Sequence, residues 1–266
     1  ISRRNIKDIL RNQEQTRGIS EDRFNKYLGM LSPLFDILIE DEVIENNPTL
    51  KIKKYSIIRE PRKVLTEKEK IKVSNYLKEN FYTFWRFMMI FSCSGAREVE
   101  LLRVKIKDVD LKKLEYKVLI KKGRLNAIVT KPINNSVSYL WKEVINESKK
   151  LNDEITLSKP DHFIFSKGLT WGEETISRAQ ITRRWRVHVK DKLNIEADFY
   201  AFKHAYLDKV SEILSIKDAQ KLASHTSDKM LRKHYAIGEE QRQIERLKKI
   251  DIPFFETKVK NILKIV

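Results

Sequence analysis

Hydrophobic positions recur at intervals of three and four between residues 20 and 46, where Phe24, Tyr27, Leu28, Leu31, Phe35, Leu38 and Ile39 alternate with Lys, Asp and Glu. That period predicts amphipathic helix. Pro33 either opens a second helix or kinks a long one, and 46-NNP-48 ends the pattern. The period then disappears. The stretch 51-KIKKYSIIREPR-62 is basic, contains Pro61, and reads either as an extended linker lying along an anion or as a strand edge.

A second unit opens at 66-TEKE-69, where Thr66 and Glu69 have the spacing of a capping box ahead of Ile71, Val73, Tyr76 and Leu77. Two buried helices are expected next, one ending near Phe91 and one over 96–104. Between 108 and 133 the period shifts toward two, with turn signals at Asp110 and 122-KGRLN-126, which predicts a β-hairpin or a three-stranded antiparallel sheet. Helical patterning returns after Ser136 and lasts to the end. The expected fold is mainly α with one small antiparallel sheet, in two unequal domains.

Charge changes the picture from a generic helical protein to one with a polyanionic partner. In 266 residues, 54 Lys and Arg face 37 Asp and Glu, a net charge of +17. Such an excess attracts nucleic acid without specifying a sequence. The single cysteine, Cys93, excludes an intrachain disulfide framework and a cysteine-based metal cluster, and is compatible with a reducing compartment. The longest apolar run, around 87-FMMIFSCSGA-96, is too short and too interrupted for a membrane span. The chain opens Ile-Ser-Arg-Arg, without Met or a signal-peptide pattern, and is read as a fragment of a longer intracellular protein.

The candidate chemistry begins at 92-SCSGAREVELLRV-104. Asp or Glu suits the first turn of a helix better than a cation does, so Arg97 there calls for an external anion shared between the two, and phosphate is the first choice. Three more stations follow: Lys121 and Lys122 at the hairpin tip, 200-YAFKH-204 at a helix start, and 222-LASHTSDKMLRKHY-235, with His225 ten residues before Tyr235. Singly, each has an ordinary structural explanation as a surface, capping or core residue.

Together, in this order, they resemble the tyrosine recombinases, the phage and mobile-element integrase family. In that family a T/S-G-x-R-x-x-E-L box, a hairpin Lys, an H-x-x-R box, an L-G-H-like box and a nucleophilic Tyr assemble round one DNA phosphate. Here 94-SGAREVEL-101 fits the first box, which implies a phosphate clamp at Arg97 and a supporting role for Glu100. The resemblance likewise implies Lys122 as the hairpin lysine with Lys121 as the near alternative, His225 in the histidine position, and Tyr235 as nucleophile. One box departs: 200-YAFK-203 puts Tyr200 and Lys203 where the family has His and Arg. Lysine keeps the charge but lacks arginine's two-pronged grip on phosphate. His204 is an alternative contributor, one position out of register.

The resemblance further implies a helical core-binding domain over 1–50, an interdomain linker over 51–62 with Lys51, Lys53, Lys54, Arg59 and Arg62 on DNA, a catalytic domain over 63–249, and a tail over 250–266 for protomer contacts. The implied function is a site-specific recombinase or integrase that cleaves and rejoins DNA through a 3′-phosphotyrosine, integrating or excising a mobile element. Expected partners are double-stranded attachment sites, further copies of the chain as a tetramer on paired sites and a monomer or weak dimer when free, and an accessory DNA-bending protein; no membrane is involved. No cofactor and no metal are expected, since phosphoryl transfer of this kind needs positioned cations and the sequence offers no Mg²⁺-binding carboxylate cluster. A cytoplasmic, DNA-associated location in a bacterial or viral setting follows. The alternatives are a type IB topoisomerase-like nicking-closing enzyme and a catalytically impaired DNA-binding relative.

Overall fold

A computed structural model describes residues 1–58, 63–122, 125–150, 160–224 and 244. The chain divides into two compact units, Ile1–Pro61 and Arg62–Val266.

In the first unit, α1 (Arg3–Arg17) precedes α2 (Glu21–Glu40). Sequence reasoning did not anticipate α1, whose start is fixed by a capping box between Ser2 and Asn5 and whose end is Gly18 at φ 58°. Helix α2 starts at the Ser20 cap and runs on through Pro33. It stops at Glu40, short of the expected 46, because Glu42 takes a left-handed φ of 58° and turns the chain. Ile6 and Leu10 of α1 pack with Phe24, Leu28 and Phe35 of α2 and with Ile52 beyond it. Tyr55 lies edge-on to Phe24, ring centres 5.0 Å apart. Residues 52–58 contain neither helix nor strand, and Lys51, Lys53 and Lys54 are exposed. Arg59 and Arg62 lie outside the described residues.

The second unit begins with α3 (Glu67–Asn80), capped as its sequence predicts: Thr66 Oγ accepts from Glu69 N–H, and Glu69 Oε2 accepts from Thr66 N–H. Helix α4 (Tyr82–Ser94) is the central element, with Phe84, Phe87, Met88, Ile90 and Phe91 all buried. Its Arg86 is also buried, held by Glu143 and Glu147 of α6 (Ser138–Lys150). A buried guanidinium is tolerated only when paired, so this cluster locks α4 to α6.

Helix α5 is only Glu98–Leu101, not the longer helix expected over 96–104. The apolar run continues, but Leu102 and Val104 are drawn into the core, and the Val104 carbonyl accepts from Ile164 N–H. Tertiary pairing wins over helical period here. The sheet follows in the order β1 (Val109–Asp110), β2 (Glu115–Lys122), β3 (Leu125–Pro132), all antiparallel. Tyr116, Val118 and Ile120 of β2 face the core, as the period of two predicts. The remaining elements are α7 (Arg178–Trp185), which continues as a π-helical turn over Arg186–Asp191, then α8 (Ala201–Ile213) and α9 (Ile216–Leu222). No helix among the described residues is long and apolar enough to cross a membrane.

Candidate active site

The site is organised by the turn between α4 and α5. Gly95 takes φ +63°, and a Cβ added there would lie 2.5 Å from Leu222 Cγ and 2.7 Å from the Leu222 carbonyl oxygen. Only glycine combines that backbone with that approach. The neighbouring Ser94 carbonyl accepts from the Tyr116 hydroxyl at 2.9 Å, so β2 anchors the turn from below.

Arg97 is the residue before the first turn of α5, and Glu100 holds it at both ends. Glu100 Oε2 accepts from Arg97 N–H at 2.7 Å, and Oε1 accepts from Arg97 Nη1 at 2.5 Å. Glu98 N–H donates to the Tyr200 hydroxyl at 3.3 Å. These bonds correct the sequence-based reason for Arg97. The helix is a single turn with a negligible macrodipole, and the N–H groups of Arg97 and Glu98 already have acceptors within the protein. What remains for an external anion is the guanidinium itself, on a side chain 40 % exposed. It lines an open cleft of about 560 Å³ with Arg178, Arg186, Lys190 and Tyr200. The basic contribution of α7 and its π-helical extension was not anticipated. The signal available was 178-RAQITRRWRVHVK-190, where Arg178, Thr182, Arg186 and Lys190 recur every four residues.

Glu98 is a second carboxyl at this turn and is 1 % exposed. Its Oε2 lies 3.2 Å from Arg178 Nε, while Oε1 has no hydrogen-bond partner among the described residues. Burial pushes its pKa up to about 7, against the opposing pull of Arg178.

The departing box lies at the start of α8. Tyr200 stacks edge-on to Phe91 with ring centres 5.4 Å apart, carries Arg178 over its face at 5.7 Å, and accepts from Glu98 N–H. It joins α8 to the Arg97 turn. Lys203 is fully buried. Burial first, and then the charges of Lys131 and Arg97, pull its pKa down to about 7, with Glu100 opposing. His204 is also buried, beside Tyr200.

Lys131 was missed by sequence reasoning. It lies on β3 opposite Tyr116, is 2 % exposed, and donates from Nζ to the Gly95 carbonyl at 3.3 Å and to the Leu222 carbonyl. Its signal in the sequence was its place in the alternation Val129, Lys131, Ile133, a charge at an inward position of a half-buried strand.

Arg97, Glu100 and Lys203 thus come together, with Tyr200 alongside. Lys121 is exposed on β2 opposite Asn126. The Lys122 backbone ends β2, opposite Leu125, but its side chain lies outside the described residues. His225, Tyr235 and the tail over 250–266 lie outside them too. Among the described residues no group of His, Cys, Asp and Glu could hold a metal ion.

Helices packed with a three-stranded antiparallel sheet are the fold this chain shares with solved integrases. Residues 63–242 match the phage integrase family, and the chain belongs to that family. It is similar to the ICEBs1 integrase of Bacillus subtilis (strain 168), 25 % identical over 223 residues that cover 78 % of this chain and 58 % of the relative. The chain therefore spans little more than half the length of that curated relative. Its fold matches the Tn1549 transposon integrase in complex with transposon right end DNA, with a TM-score of 0.67 and 17 % identity over 93 % of this chain and 86 % of the other. A lambda integrase dimer bound to a COC′ core site matches with a TM-score of 0.62 and 21 % identity, over 86 % and 81 %.

Proposed function

We propose that this chain is the DNA-breaking and rejoining part of a site-specific recombinase that moves a mobile element. The observation that carries the reading is the concentration of positive charge at the Arg97 turn: Arg97, aimed by Glu100, lines an open cleft with Arg178, Arg186 and Lys190. A cleft lined by cations concentrates anions. A phosphodiester is such an anion, and its displacement is a reaction that positioned cations accelerate.

In this reading Arg97 and Lys203 hold the nonbridging oxygens of the scissile phosphate, with His225 as a third donor. Tyr235 attacks phosphorus, forming a 3′-phosphotyrosine as the bond to the 5′ oxygen breaks, and Lys122, or Lys121 beside it, protonates that oxygen. The phosphotyrosine keeps the energy of the phosphodiester, so the strands rejoin without ATP. No metal ion or cofactor takes part. Residues 63–249 would act as the catalytic domain, and 1–50 with the basic stretch 51–62 would grip the duplex. Solved integrases with this fold are bound to DNA as dimers and as a tetramer on a Holliday junction. By analogy, double-stranded attachment sites and further copies of this chain are the partners, with residues 250–266 passing between protomers and an accessory DNA-bending protein as a further candidate.

The test uses nicked duplexes cut from the DNA flanking the coding gene. Wild type gives an SDS-resistant adduct in the presence of EDTA, and Tyr235→Phe gives none while still binding the duplex. An adduct with the Phe variant removes Tyr235 from the role. Recombination between two sites, assayed beside supercoil relaxation, separates a recombinase from a nicking-closing enzyme.

A further inference from the structure

Lys131 lies outside every box that the family resemblance supplies. It is nonetheless buried between the Arg97 turn and the end of α9. Its ammonium donates to the Gly95 carbonyl, two residues before Arg97, and to the Leu222 carbonyl, the last of α9 and three residues before His225. Its strand partner Tyr116 holds the adjacent Ser94 carbonyl. A carbonyl at the end of a helix has no intrahelical donor, and a cation is the favoured group to satisfy it. The approach is close enough that Gly95 has no room for a Cβ beside Leu222.

We propose that Lys131 is a positioning residue for strand cleavage, tying the Arg97 turn to the end of α9, from which the chain leads into His225 and Tyr235. This rests on the recombinase reading above.

The charge of Lys131 also bears on Lys203. Burial is the largest influence, Lys131 is second, and Arg97 acts in the same direction against Glu100. Where α8 meets α4, Cys93 and Tyr206 are both pushed upward by burial and remain neutral. The charged groups of α9, namely Lys217, Asp218 and Lys221, are exposed. Tyr200 caps the start of α8 and His204 follows Lys203 in it, their rings 6.3 Å apart. Removing the positive charge at Lys131 therefore raises the pH at which Lys203 loses its proton. Lys203 then remains a charged donor further into the alkaline range, although the turn that it serves is less well held.

The experiment compares wild type with Lys131→Met, Lys131→Arg and Lys203→Arg in the full chain. Single-turnover adduct formation is followed across pH on the same flanking-DNA duplexes, and free protein labelled with ¹³Cε-lysine is titrated by NMR. The Lys203 signal is the one lost in Lys203→Arg. Expected for Lys131→Met is unchanged duplex binding, a rate at pH 7 lower on the order of 10- to 100-fold, as for a displaced reacting group, and an alkaline limb and Lys203 midpoint both moved to higher pH. Lys131→Arg keeps the wild-type limb and midpoint and recovers part of the rate. Should the Met variant not melt cooperatively, Lys131→Gln takes its place, retaining a donor for the two carbonyls but no charge. A wild-type rate with a superimposable profile overturns the proposal. If wild type itself forms no adduct, the recombinase reading falls and the proposal falls with it. That outcome differs from failure of the inference alone, in which wild type reacts and Lys131→Met reacts equally fast.

Discussion

Glu100 grips Arg97 through both carboxylate oxygens, one on the backbone N–H at 2.7 Å and one on Nη1 at 2.5 Å. The same side chain therefore caps the α5 turn and aims the guanidinium into the cleft. It also favours the charged form of Lys203.

Replacing Glu100 by Gln should act on both duties. The amide can still accept from one donor but cannot hold the two as an ion pair, so adduct formation falls. With its counter-charge gone, Lys203 loses its proton at lower pH, and the alkaline limb of the rate moves down, opposite to the movement expected for Lys131→Met. A pH–rate profile for the Gln variant checks this, and a limb that stays in place would mean that Lys203 is not sensed in the rate.

Lys203 itself gives the sharpest test of the departing box. Loss of a positioned transition-state donor typically costs on the order of a hundredfold or more in rate, and Lys203→Ala should show it in single-turnover cleavage. Lys203→Arg should keep measurable activity. Because burial and its cationic neighbours bring Lys203 down to about 7 in the free protein, its charge is present below that pH and is lost above it. A bound phosphate moves the loss upward. Arginine does not deprotonate in this range, so the Arg variant should be active to higher pH than wild type. Wild-type speed in the Ala variant would remove Lys203 from the site.

What the sequence made legible was local and periodic. The Thr66–Glu69 cap and the inward face of Tyr116, Val118 and Ile120 follow from spacing alone and stand in the fold as expected. Helix α1 escaped notice because only Ile6 and Leu10 are buried along it, too few to set a period. The length of α5 could not be read, since Val104 fits a helical stripe equally well and was taken by Ile164, far along the chain. Arg97 and Glu100 are visible as a motif, but the helix start does not account for the arginine, because Glu100 and Tyr200 occupy the N–H groups of Arg97 and Glu98. Lys131 illustrates the limit of patterning. A lysine in a strand is ordinarily taken as exposed, and only the carbonyls of Gly95 and Leu222, remote in sequence, explain its burial.

Glu98 should make stability depend on pH. Its carboxyl is held at about 7 in the fold against an ordinary 4.5. Between those values the folded chain keeps a proton that the unfolded chain has released. The associated stability is therefore fully present below about 4.5 and is lost as pH rises through 7. The shift sets this loss on the order of 3 kcal/mol. Glu98→Gln is neutral throughout and escapes it, so the melting temperature of Gln relative to wild type should climb from pH 5 to pH 8. Lys203 titrates alike in both chains and cancels in the difference. Parallel melting curves across that range would show that Glu98 is charged in the fold at all of these values.

The last expectation concerns Gly95, where backbone and packing both exclude a side chain. At φ +63° an L-residue costs roughly 1 to 2 kcal/mol. The added Cβ would also lie 2.5 Å from Leu222 Cγ and 2.7 Å from the Leu222 carbonyl oxygen, so α9 must retreat from the turn. Overpacking of that sort adds about 1 to 3 kcal/mol. Gly95→Ala should therefore lower the unfolding free energy by a few kcal/mol. Its effect on cleavage should exceed that loss, because the retreat takes the Leu222 carbonyl from Lys131 and moves the chain leading to Tyr235. Leu222→Ala removes the Cγ contact but leaves the carbonyl clash, so combining it with Gly95→Ala should restore part of the stability and little of the rate. Denaturant melts and single-turnover adduct formation on the two single variants and the double variant measure the two losses separately. A double variant that recovers stability and rate together would place the whole effect in side-chain packing, with no part for the carbonyl that Lys131 holds.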